Sequence, residues 1–232
     1  TNYDSMPNSG KVMVFDIDLP VRDAFYVAAV NDISFATLWD SQASQLVGML
    51  TVTDLIDILL HYHSETNVIQ DLIAQKQIRY WRQLQHRNRP AQLIYVTPED
   101  SLLTSIYTLQ KYKIHRLPVI SPRGSLLHII THSHLLAYLV NNLQFDSPIF
   151  KYSLEALGIG TFENMITATP KMPLFDVLNY FAKYKVSAIP VVDDQGVVID
   201  VFSRYDIVYL VRDGDYKLEI TLEEALRKRP KI

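Results

Sequence analysis

The sequence predicts an α+β fold in which one unit, strand–helix–strand–strand–helix, is used three times. Three observations predict it: short runs of β-branched and apolar residues, turn residues directly after them, and an amphipathic helix that a hydroxyl residue opens. All three stand together in residues 114–134, which run Ile-His-Arg-Leu-Pro-Val-Ile, Ser-Pro-Arg-Gly, Ser-Leu-Leu-His-Ile-Ile and Thr-His-Ser-His.

The same order recurs when the chain is compared with itself. Ile114–Ile120 aligns with Val186–Asp193, and the weaker Ile33–Asp40 stands in phase with both. A turn, a second apolar strand and a helix start follow each of them. The first strand residue and the fourth residue of the helix start are 21, 20 and 20 positions apart, for the pairs Ile33 and Asp54, Ile114 and His134, and Val186 and Asp206. Equal spacing in three places indicates an internal repeat.

A strand and a helix precede the hairpin of each repeat. The predicted strands are Val12–Phe15, Leu93–Val96 and Met165–Ala168, and the predicted helices are Val21–Asn31, Ser101–Lys111 and Leu174–Tyr184. Thr97-Pro98-Glu99-Asp100 is predicted to start the second helix, with proline at the first helical position. Residues 1–11 are expected to be a loop, and Thr221-Leu-Glu-Glu224 predicts a capping box for one more short helix.

Residues 64–92 differ in composition, because basic and aromatic side chains interleave with an apolar helical stripe. The basic residues are Lys76, Arg79, Arg82, Arg87 and Arg89, with Tyr80 and Trp81 among them. One interpretation is a connector helix with a solvated charged face. The other is a docking surface for an acidic partner or a nucleic acid.

Bulk composition limits the classes of function. With 22 Lys and Arg against 25 Asp and Glu, the net charge is −3, so no general attraction to nucleic acid or to an anionic membrane is expected. The absence of cysteine excludes disulfides and thiolate metal sites, and it is compatible with a reducing compartment. No apolar run reaches the length of a membrane-spanning helix.

Signatures of catalysis are missing from the sequence. There is no Gly-x-x-x-x-Gly-Lys-Ser/Thr loop, no His-Glu-x-x-His and no Gly-x-Ser-x-Gly. Gly158-Ile-Gly160 lacks the third glycine of a dinucleotide fingerprint. The histidines show no metal-ligand spacing. We therefore expect a protein that is not an enzyme and holds no metal.

The repeated unit, with Ile114-His-Arg-Leu-Pro and Thr51-Val-Thr-Asp54, resembles a cystathionine-β-synthase (CBS) domain. The order of the repeats is similar to that of the γ regulatory subunits of AMP-activated protein kinase. The stretches that carry the likeness are Val14–Asp16, Leu38–Ser41, Val47–Asp54, Ile114–Ile120, Ile159–Thr161 and Val186–Asp193. In that family, CBS repeats pair as Bateman modules that bind adenine nucleotides, and four repeats form a disc.

The resemblance implies a division of the chain. Repeats 1, 2 and 3 would be residues 12–65, 92–143 and 164–213, with a connector helix at 66–91, a linker at 144–163 and the start of a truncated fourth repeat at 214–232. It also implies a regulatory subunit that binds AMP, ADP or ATP between repeats. The implied partners are the catalytic α subunit and the scaffold β subunit of a kinase, in the cytoplasm and with the nucleus as a second location. The alternative is a CBS scaffold that assembles the kinase with weak or no nucleotide binding.

The nucleotide-binding residues that the resemblance implies come from all three repeats. They are Met49, Thr51, Asp54, His115, Arg116, Thr161, Ile166, Ser187, Arg204 and Asp206. Asp54 and Asp206 would accept hydrogen bonds from ribose hydroxyls, although each also stands where a capping box needs a carboxylate. His115 and Arg116 would bind phosphates, unless they form a salt bridge between repeats.

Simpler roles exist for the remaining residues too. Thr161 and Ser187 could cap backbone groups, and Ile166 could belong to the core. Three positions depart from the family pattern: Ser34 replaces an Arg, Ser133 replaces a Lys, and His134 replaces the carboxylate of repeat 2. The two lost cations remove charge-assisted hydrogen bonds worth about 1.5–3 kcal/mol each. We therefore expect the chain to retain the fold of the family more closely than its affinity for nucleotides. We also expect repeat 2 to bind no ribose, because His134 replaces its carboxylate.

Overall fold

The computed structural model describes residues 1–7, 12–63, 73–86, 93–142, 148–161, 163–212 and 217–230. The strands are β1 (Val14–Asp16), β2 (Phe35–Asp40), β3 (Gln45–Thr51), β4 (Arg116–Ile120), β5 (Leu126–Thr131), β6 (Ala188–Val192) and β7 (Val198–Ser203). The helices are α1 (Asn2–Ser5), α2 (Val21–Val30), α3 (Val52–His63), α4 (Ile78–His86), α5 (Leu102–Tyr112), α6 (His132–Asn142), α7 (Leu174–Tyr184), α8 (Ile207–Arg212) and α9 (Leu222–Leu226). Short 3-10 helices cover Pro148–Lys151 and Arg204–Asp206. The predicted α+β class is confirmed.

Each repeat contains one antiparallel hairpin, β2–β3, β4–β5 or β6–β7. All three hairpins have a register shift near the end of their first strand, between Leu38 and Trp39, Val119 and Ile120, and Val191 and Val192. A parallel partner joins that strand on its other side. In repeat 1 this partner is the strand β1, but in repeats 2 and 3 it is a single bridge, at Val96 and at Ala168. The predicted strands at 93–96 and 165–168 are therefore much shorter than expected.

The first helix of every repeat ends in the same way. Asp32, Lys113 and Lys185 have φ values of 52°, 52° and 55°, so each adopts the left-handed conformation just after its helix. Residues other than glycine rarely adopt this left-handed conformation. Their recurrence at equivalent positions supports the repeat alignment independently of side-chain pattern.

The start of α5 differs from the prediction. Ser101 is the N-cap, and its Oγ accepts a hydrogen bond from the Thr104 backbone N–H. Asp100 instead accepts hydrogen bonds from the backbone N–H and hydroxyl of Thr97, at 2.7 and 3.0 Å. These two hydrogen bonds close a turn around Pro98 that is separate from the helix. The helix begins after that turn, so the prediction of proline at the first helical position is wrong.

The N-terminal residues, predicted as a loop, include the helical turn α1. It docks on repeat 2, where the backbone N–H of Asn2 donates to the Asp100 carbonyl and that of Tyr3 donates to the Pro98 carbonyl. Asn2 is fully buried, and its side-chain oxygen accepts a hydrogen bond from Ser105 at 2.8 Å. A buried amide with satisfied hydrogen bonds explains why a polar segment is ordered here.

The connector helix α4 packs on repeat 1. The guanidinium of Arg79 bridges Asp18 and Asp40, with nitrogen–oxygen distances of 2.6 to 3.1 Å. Arg82 donates to the Val47 carbonyl at 2.6 Å. A solvated face is therefore wrong for these two arginines, because carboxylates and a strand carbonyl of repeat 1 lie within their reach. Residues 64–72 and 87–92 of this prediction lie outside the described residues, as do residues 144–147 of the implied linker.

Two cores hold the described residues together. One unites repeats 1 and 3, where α2 packs on α8 and α3 packs on α7. Phe181 and Phe202 are stacked within it, with ring centroids 6.0 Å apart. Repeat 2 has a smaller core of its own, made by Val96, Leu109, Leu117, Val119, Ile130 and Leu135. Within the described ranges, no helix has the length and apolarity to cross a membrane.

Candidate functional site

Hairpin register brings chemically similar positions to the same end of each repeat. Phe35 pairs with Thr51, Arg116 with Thr131, and Ala188 with Ser203. The residues just before the first strand therefore lie beside the residues that open the following helix. This end of the hairpin carries most of the predicted site residues.

Asp54 and Asp206 both close the turn that begins their helix. Asp54 Oδ2 accepts hydrogen bonds from the backbone N–H and the hydroxyl of Thr51, at 2.7 and 2.8 Å. Asp206 Oδ2 accepts the same pair from Ser203, at 2.6 and 2.9 Å. The capping interpretation is thus observed for both, and it uses the same oxygen in each carboxylate.

Asp206 has a second partner that the sequence did not point to. Nη2 of Arg229 lies 2.8 Å from Asp206 Oδ2, and Nη1 of the same guanidinium lies 2.9 Å from Asp200 Oδ1. Arg229 also donates to the Val201 carbonyl. It follows the short helix α9, outside the repeated pattern, so no local signal linked it to Asp206. The Asp206 side chain is 10% exposed.

Arg116 reaches from repeat 2 into repeat 1. Its Nη2 donates to the Ser34 hydroxyl at 2.8 Å, and its guanidinium carbon lies 4.5 Å from the centre of the Phe35 ring. Burial lowers the pKa of Arg116 below the usual guanidinium value. Within the described part of the chain, no carboxylate pairs with it. The alternative of a salt bridge between repeats is therefore not observed for Arg116, because its partner there is a hydroxyl.

Arg204 makes the corresponding connection from repeat 3 to repeat 1. It donates to the Thr53 hydroxyl at 2.9 Å and to the carbonyls of Val186 and Phe181 at 2.7 and 3.2 Å. Burial lowers its pKa, and the charge of Asp57 acts in the opposite direction. No carboxylate of the described residues forms an ion pair with it. Thr53 and Phe35, both contacts of these arginines, were missed because neither carries a charge.

His115 lies close enough to Arg116 and Arg204 for their charges to act on its ring. Its ring centre lies 5.5 Å from that of His132. Partial burial lowers the pKa of His115, and the positive charges of His132, Arg116 and Arg204 lower it further. The three repeats therefore converge in one region of positive potential. Half-buried guanidinium groups without carboxylate partners favour an anionic ligand.

The other predicted residues are less closely associated. Ser187 and Thr161 are exposed, and Ser187 contributes its carbonyl oxygen to the Arg204 backbone N–H at 3.0 Å. Met49, Thr51 and Ile166 are half-buried. No described contact joins Thr161 or Ile166 to the cationic group.

Two surface cavities lie away from these residues. One, of about 670 Å³, is formed between repeats 1 and 2 and is lined by Trp39, Arg79, Tyr95 and Arg123 among others. The other, of about 580 Å³, lies along α7. Neither contains any of the ten predicted site residues, so the cationic convergence, and not cavity size, defines the candidate site.

Comparison with known proteins agrees with this architecture. Residues 88–141 and 160–213 match the CBS domain. The chain therefore contains two stretches that match this domain. Over almost all of its length, the chain is similar to γ subunits of 5′-AMP-activated protein kinase.

It is 38% identical to subunit gamma-3 of Bos taurus over 234 residues, covering 99% of this chain and 47% of that protein. Against the Dictyostelium discoideum subunit gamma it is 38% identical over 221 residues, covering 92% of this chain and 38% of that protein. The chain therefore spans about half the length, or less, of these relatives. A crystal structure from Methanocaldococcus jannaschii, of a protein proposed as an archaeal homologue of γ-AMPK, superposes with a TM-score of 0.73. That likeness, at 16% identity over 96% of this chain and 80% of the other, concerns the fold.

Proposed function

We propose that the chain is a non-catalytic regulatory subunit of an AMP-activated-type protein kinase and binds AMP, ADP or ATP between its CBS repeats. The observation that carries the proposal is the meeting of Arg116 and Arg204 on repeat 1, with His115 beside them and no carboxylate partner for either arginine among the described residues. Such an arrangement suits a phosphate group, which offers several acceptor oxygens to a guanidinium fork.

The carboxylates supply the complementary half of a nucleotide site. Asp54 and Asp206 stand at helix starts, where they would accept hydrogen bonds from the two ribose hydroxyls. The half-buried Met49, Thr51 and Ile166 would line the adenine pocket, and Thr161 and Ser187 would supply polar contacts. The names of the similar proteins as kinase γ subunits support this assignment.

Partners follow from the same similarity. We propose that the chain assembles with a catalytic α subunit and a β scaffold subunit, and that it acts in the cytoplasm and also in the nucleus. Differences in affinity among the nucleotides would then bias the kinase between conformations. Neither nucleic acid nor a membrane has a role in this proposal.

Calorimetric titration of AMP into the full chain tests the nucleotide proposal. Asp54→Ala and Asp206→Ala should each weaken binding about 10- to 150-fold, the loss of one charged hydrogen-bonding group worth about 1.5–3 kcal/mol. Asp100→Ala is the matched control, because Asp100 closes the same kind of turn with Thr97 outside the site. We expect it to leave the affinity unchanged. No heat with AMP, ADP or ATP, or equal losses in all three variants, would contradict the proposal.

A second candidate is a scaffold that assembles the kinase with weak or no nucleotide binding. Two contacts favour it: Ser34 stands as a neutral partner of Arg116, and Arg229 already neutralises Asp206. A pull-down of α and β subunits with and without AMP separates the two. Assembly that ignores AMP, combined with silent calorimetry, would leave the scaffold as the function.

A further inference from the structure

Two equivalent positions recur in the three repeats. One lies in the second strand of each hairpin, where it pairs with Leu38, Val119 or Val191. The other is the fourth residue of the helix start that follows, six positions further along the chain. We call these two residues the helix-start pair of a repeat. In chain order, the helix-start pairs are Gly48 with Asp54, His128 with His134, and Asp200 with Asp206.

An arginine lies at the helix-start pair of repeats 1 and 3. Arg229 donates to both carboxylates of repeat 3, with nitrogen–oxygen distances of 2.9 and 2.8 Å. In repeat 1, the Arg82 guanidinium lies so close to Gly48 that a side chain there would collide with it. Burial lowers the pKa of Arg82, and the charge of Asp54 acts in the opposite direction. Both places therefore combine a carboxylate with a guanidinium.

Repeat 2 has two imidazoles at this place. Nε2 of His128 and Nδ1 of His134 lie 3.3 Å apart, and the two ring centres lie 4.8 Å apart. A hydrogen bond between two imidazoles needs a lone pair on one of the facing nitrogens, so at least one ring must be neutral. Histidine is the side chain whose charge changes between about pH 5 and 8. The helix-start pair of repeat 2 can therefore respond to pH in this range.

The surroundings of the two rings oppose protonation. Partial burial lowers the pKa of His128, and the charge of His134 lowers it further. Nε2 of His134 is buried and has no hydrogen-bond partner within the described part of the chain. In a charged imidazole both ring nitrogens carry a hydrogen, so this nitrogen would become a buried donor without an acceptor. The neutral pair is therefore the form that the folded repeat favours.

No negative charge in the surrounding elements offsets a proton taken up here. The elements of repeat 2 that pack together are α5, β4, β5 and α6, and none of these four contains Asp or Glu. Their other titratable or charged residues are Tyr107, Lys111, Tyr112, Arg116, His132 and Tyr138, and Lys113 and His115 stand between α5 and β4. His134 also lies in the first turn of α6, where the helix dipole disfavours a positive charge.

We propose that the contact between His128 and His134 is a pH-sensitive switch, which holds the first turn of α6 on β5 near neutral pH and releases it on protonation. Leu135 of this turn and Ile130 of β5 belong to the core of repeat 2, so the release loosens that core. Repeats 1 and 3 keep their contacts between carboxylate and guanidinium. The switch involves no nucleotide and is independent of the proposed function.

The sign of the effect follows from the lowered pKa of His128. A histidine in the released segment has a pKa of about 6.5 and binds a proton more readily than His128 in the closed contact. The stability that the contact contributes is therefore fully present above about pH 6.5, and it is lost as the pH falls below that value.

Hydrogen exchange of the full chain without nucleotide, measured by mass spectrometry from about pH 7.5 to about pH 5.5, tests the proposal. Exchange times are scaled for the intrinsic dependence of amide exchange on pH. If the release takes up one proton, exchange in residues 126–139 should accelerate relative to repeats 1 and 3 by up to about tenfold per pH unit below about pH 6.5. Unchanged relative exchange over the whole range would overturn the proposal, and so would equal acceleration in all three repeats.

Two variants connect the response to the histidine pair. His134→Asp restores the carboxylate of repeats 1 and 3, and its negative charge favours a charged His128. The pKa of His128 is then raised, so the contact should stabilise repeat 2 at the acid end of the range and weaken as the pH rises. His132→Gln is the matched control, because His132 lies in the same helical turn but is exposed. It should respond to pH like the wild type.

The two variants also supply outcomes that count against the switch. Both are first compared with the wild type by far-ultraviolet circular dichroism near neutral pH. Acid loosening of residues 126–139 that persists unchanged in His134→Asp would overturn the proposal. Loosening that disappears in His132→Gln would do the same, because the response would then belong to the exposed histidine. Should His134→Asp fail to fold, the exchange of the wild type and of His132→Gln still decides.

Discussion

Asp206 resolves an ambiguity that recurs at several residues of this chain, namely whether a carboxylate at a helix start is a cap or a ligand. Its hydrogen bonds from Ser203 and from Arg229 all end on Oδ2. Oδ1 has no protein partner among the described residues. An ionised carboxylate offers two oxygens and about four lone-pair sites. Capping and ribose binding are therefore compatible in a single side chain, and a capping box does not argue against a ligand.

His115 carries a prediction at this scale. A bound phosphate would favour the charged imidazole, since it opposes the positive charges that now lower the pKa of His115. We expect nucleotide binding near pH 7 to take up protons, and the affinity to rise as the pH falls toward 6. Calorimetry in buffers of different ionisation enthalpy measures the uptake, and His115→Gln should reduce it. An identical uptake in that variant would exclude His115 as a phosphate neighbour.

In the absence of a ligand, the lowered pKa of His115 makes the free energy of unfolding depend on pH. The unfolded chain, with a histidine pKa of about 6.5, binds a proton more readily than the folded chain. The contribution of His115 to the free energy of unfolding is therefore present above that pH and is lost as the pH falls below it.

At the scale of elements, helix α7 shows what local pattern can determine. The predicted helix Leu174–Tyr184 has the observed bounds, and the capping box predicted at Thr221 and Glu224 is present at α9. Both depend on residues within one or two turns of each other. The strands at 93–96 and 165–168 were overestimated because the length of a ladder depends on the neighbouring strand, which the local pattern does not contain.

The fit between β3 and α4 provides a second prediction. A side chain at Gly48 would collide with the Arg82 guanidinium, which lies against this strand and donates to the Val47 carbonyl. Gly48→Ala should displace Arg82 and lower the free energy of unfolding by about 0.5–1.5 kcal/mol, the worth of one hydrogen bond. Urea denaturation measures the change.

The control is a double-mutant cycle with Arg82→Met. Methionine replaces the aliphatic stem of arginine with an unbranched apolar side chain, but it has no guanidinium. In that background Gly48→Ala should be neutral or slightly stabilising, because alanine restricts the unfolded chain more than glycine does. An equal cost in both backgrounds would mean that the strand itself rejects alanine, and not that Arg82 is displaced.

At the scale of the whole molecule, the repeats that share a core are not neighbours in the sequence. Repeats 1 and 3 share the larger core, and repeat 2, which lies between them in the chain, has its own. Arg116 and Arg204 connect repeats 2 and 3 to repeat 1 by hydrogen bonds to Ser34 and Thr53. The cationic group thus lies where separately packed units meet, which is where a ligand can change their relative stability.

This division predicts selective responses in hydrogen exchange. Phe202→Ala should cost about 3–5 kcal/mol and speed exchange in repeats 1 and 3. Ile130→Ala should cost about 2–5 kcal/mol and speed exchange in repeat 2. Both side chains are fully buried. Mass-spectrometric exchange of the two variants measures the pattern, and uniform acceleration over all three repeats in either variant would indicate a single cooperative unit.

The sequence by itself determined the class of fold, the threefold repetition and most of the helices, because these depend on periodicity and on residues close together in the chain. The sequence also predicted which side chains lie near the ends of the hairpins, among them Asp54 and Asp206. Only the tertiary structure decided that repeats 1 and 3 share a core, that Arg229 pairs with Asp206, and that Arg116 faces a serine. The two arginine contacts join residues 23 and 82 positions apart, and the shared core contains residues as distant in the chain as Phe15 and Phe202. The packing of whole elements, not local pattern, brings these residues together.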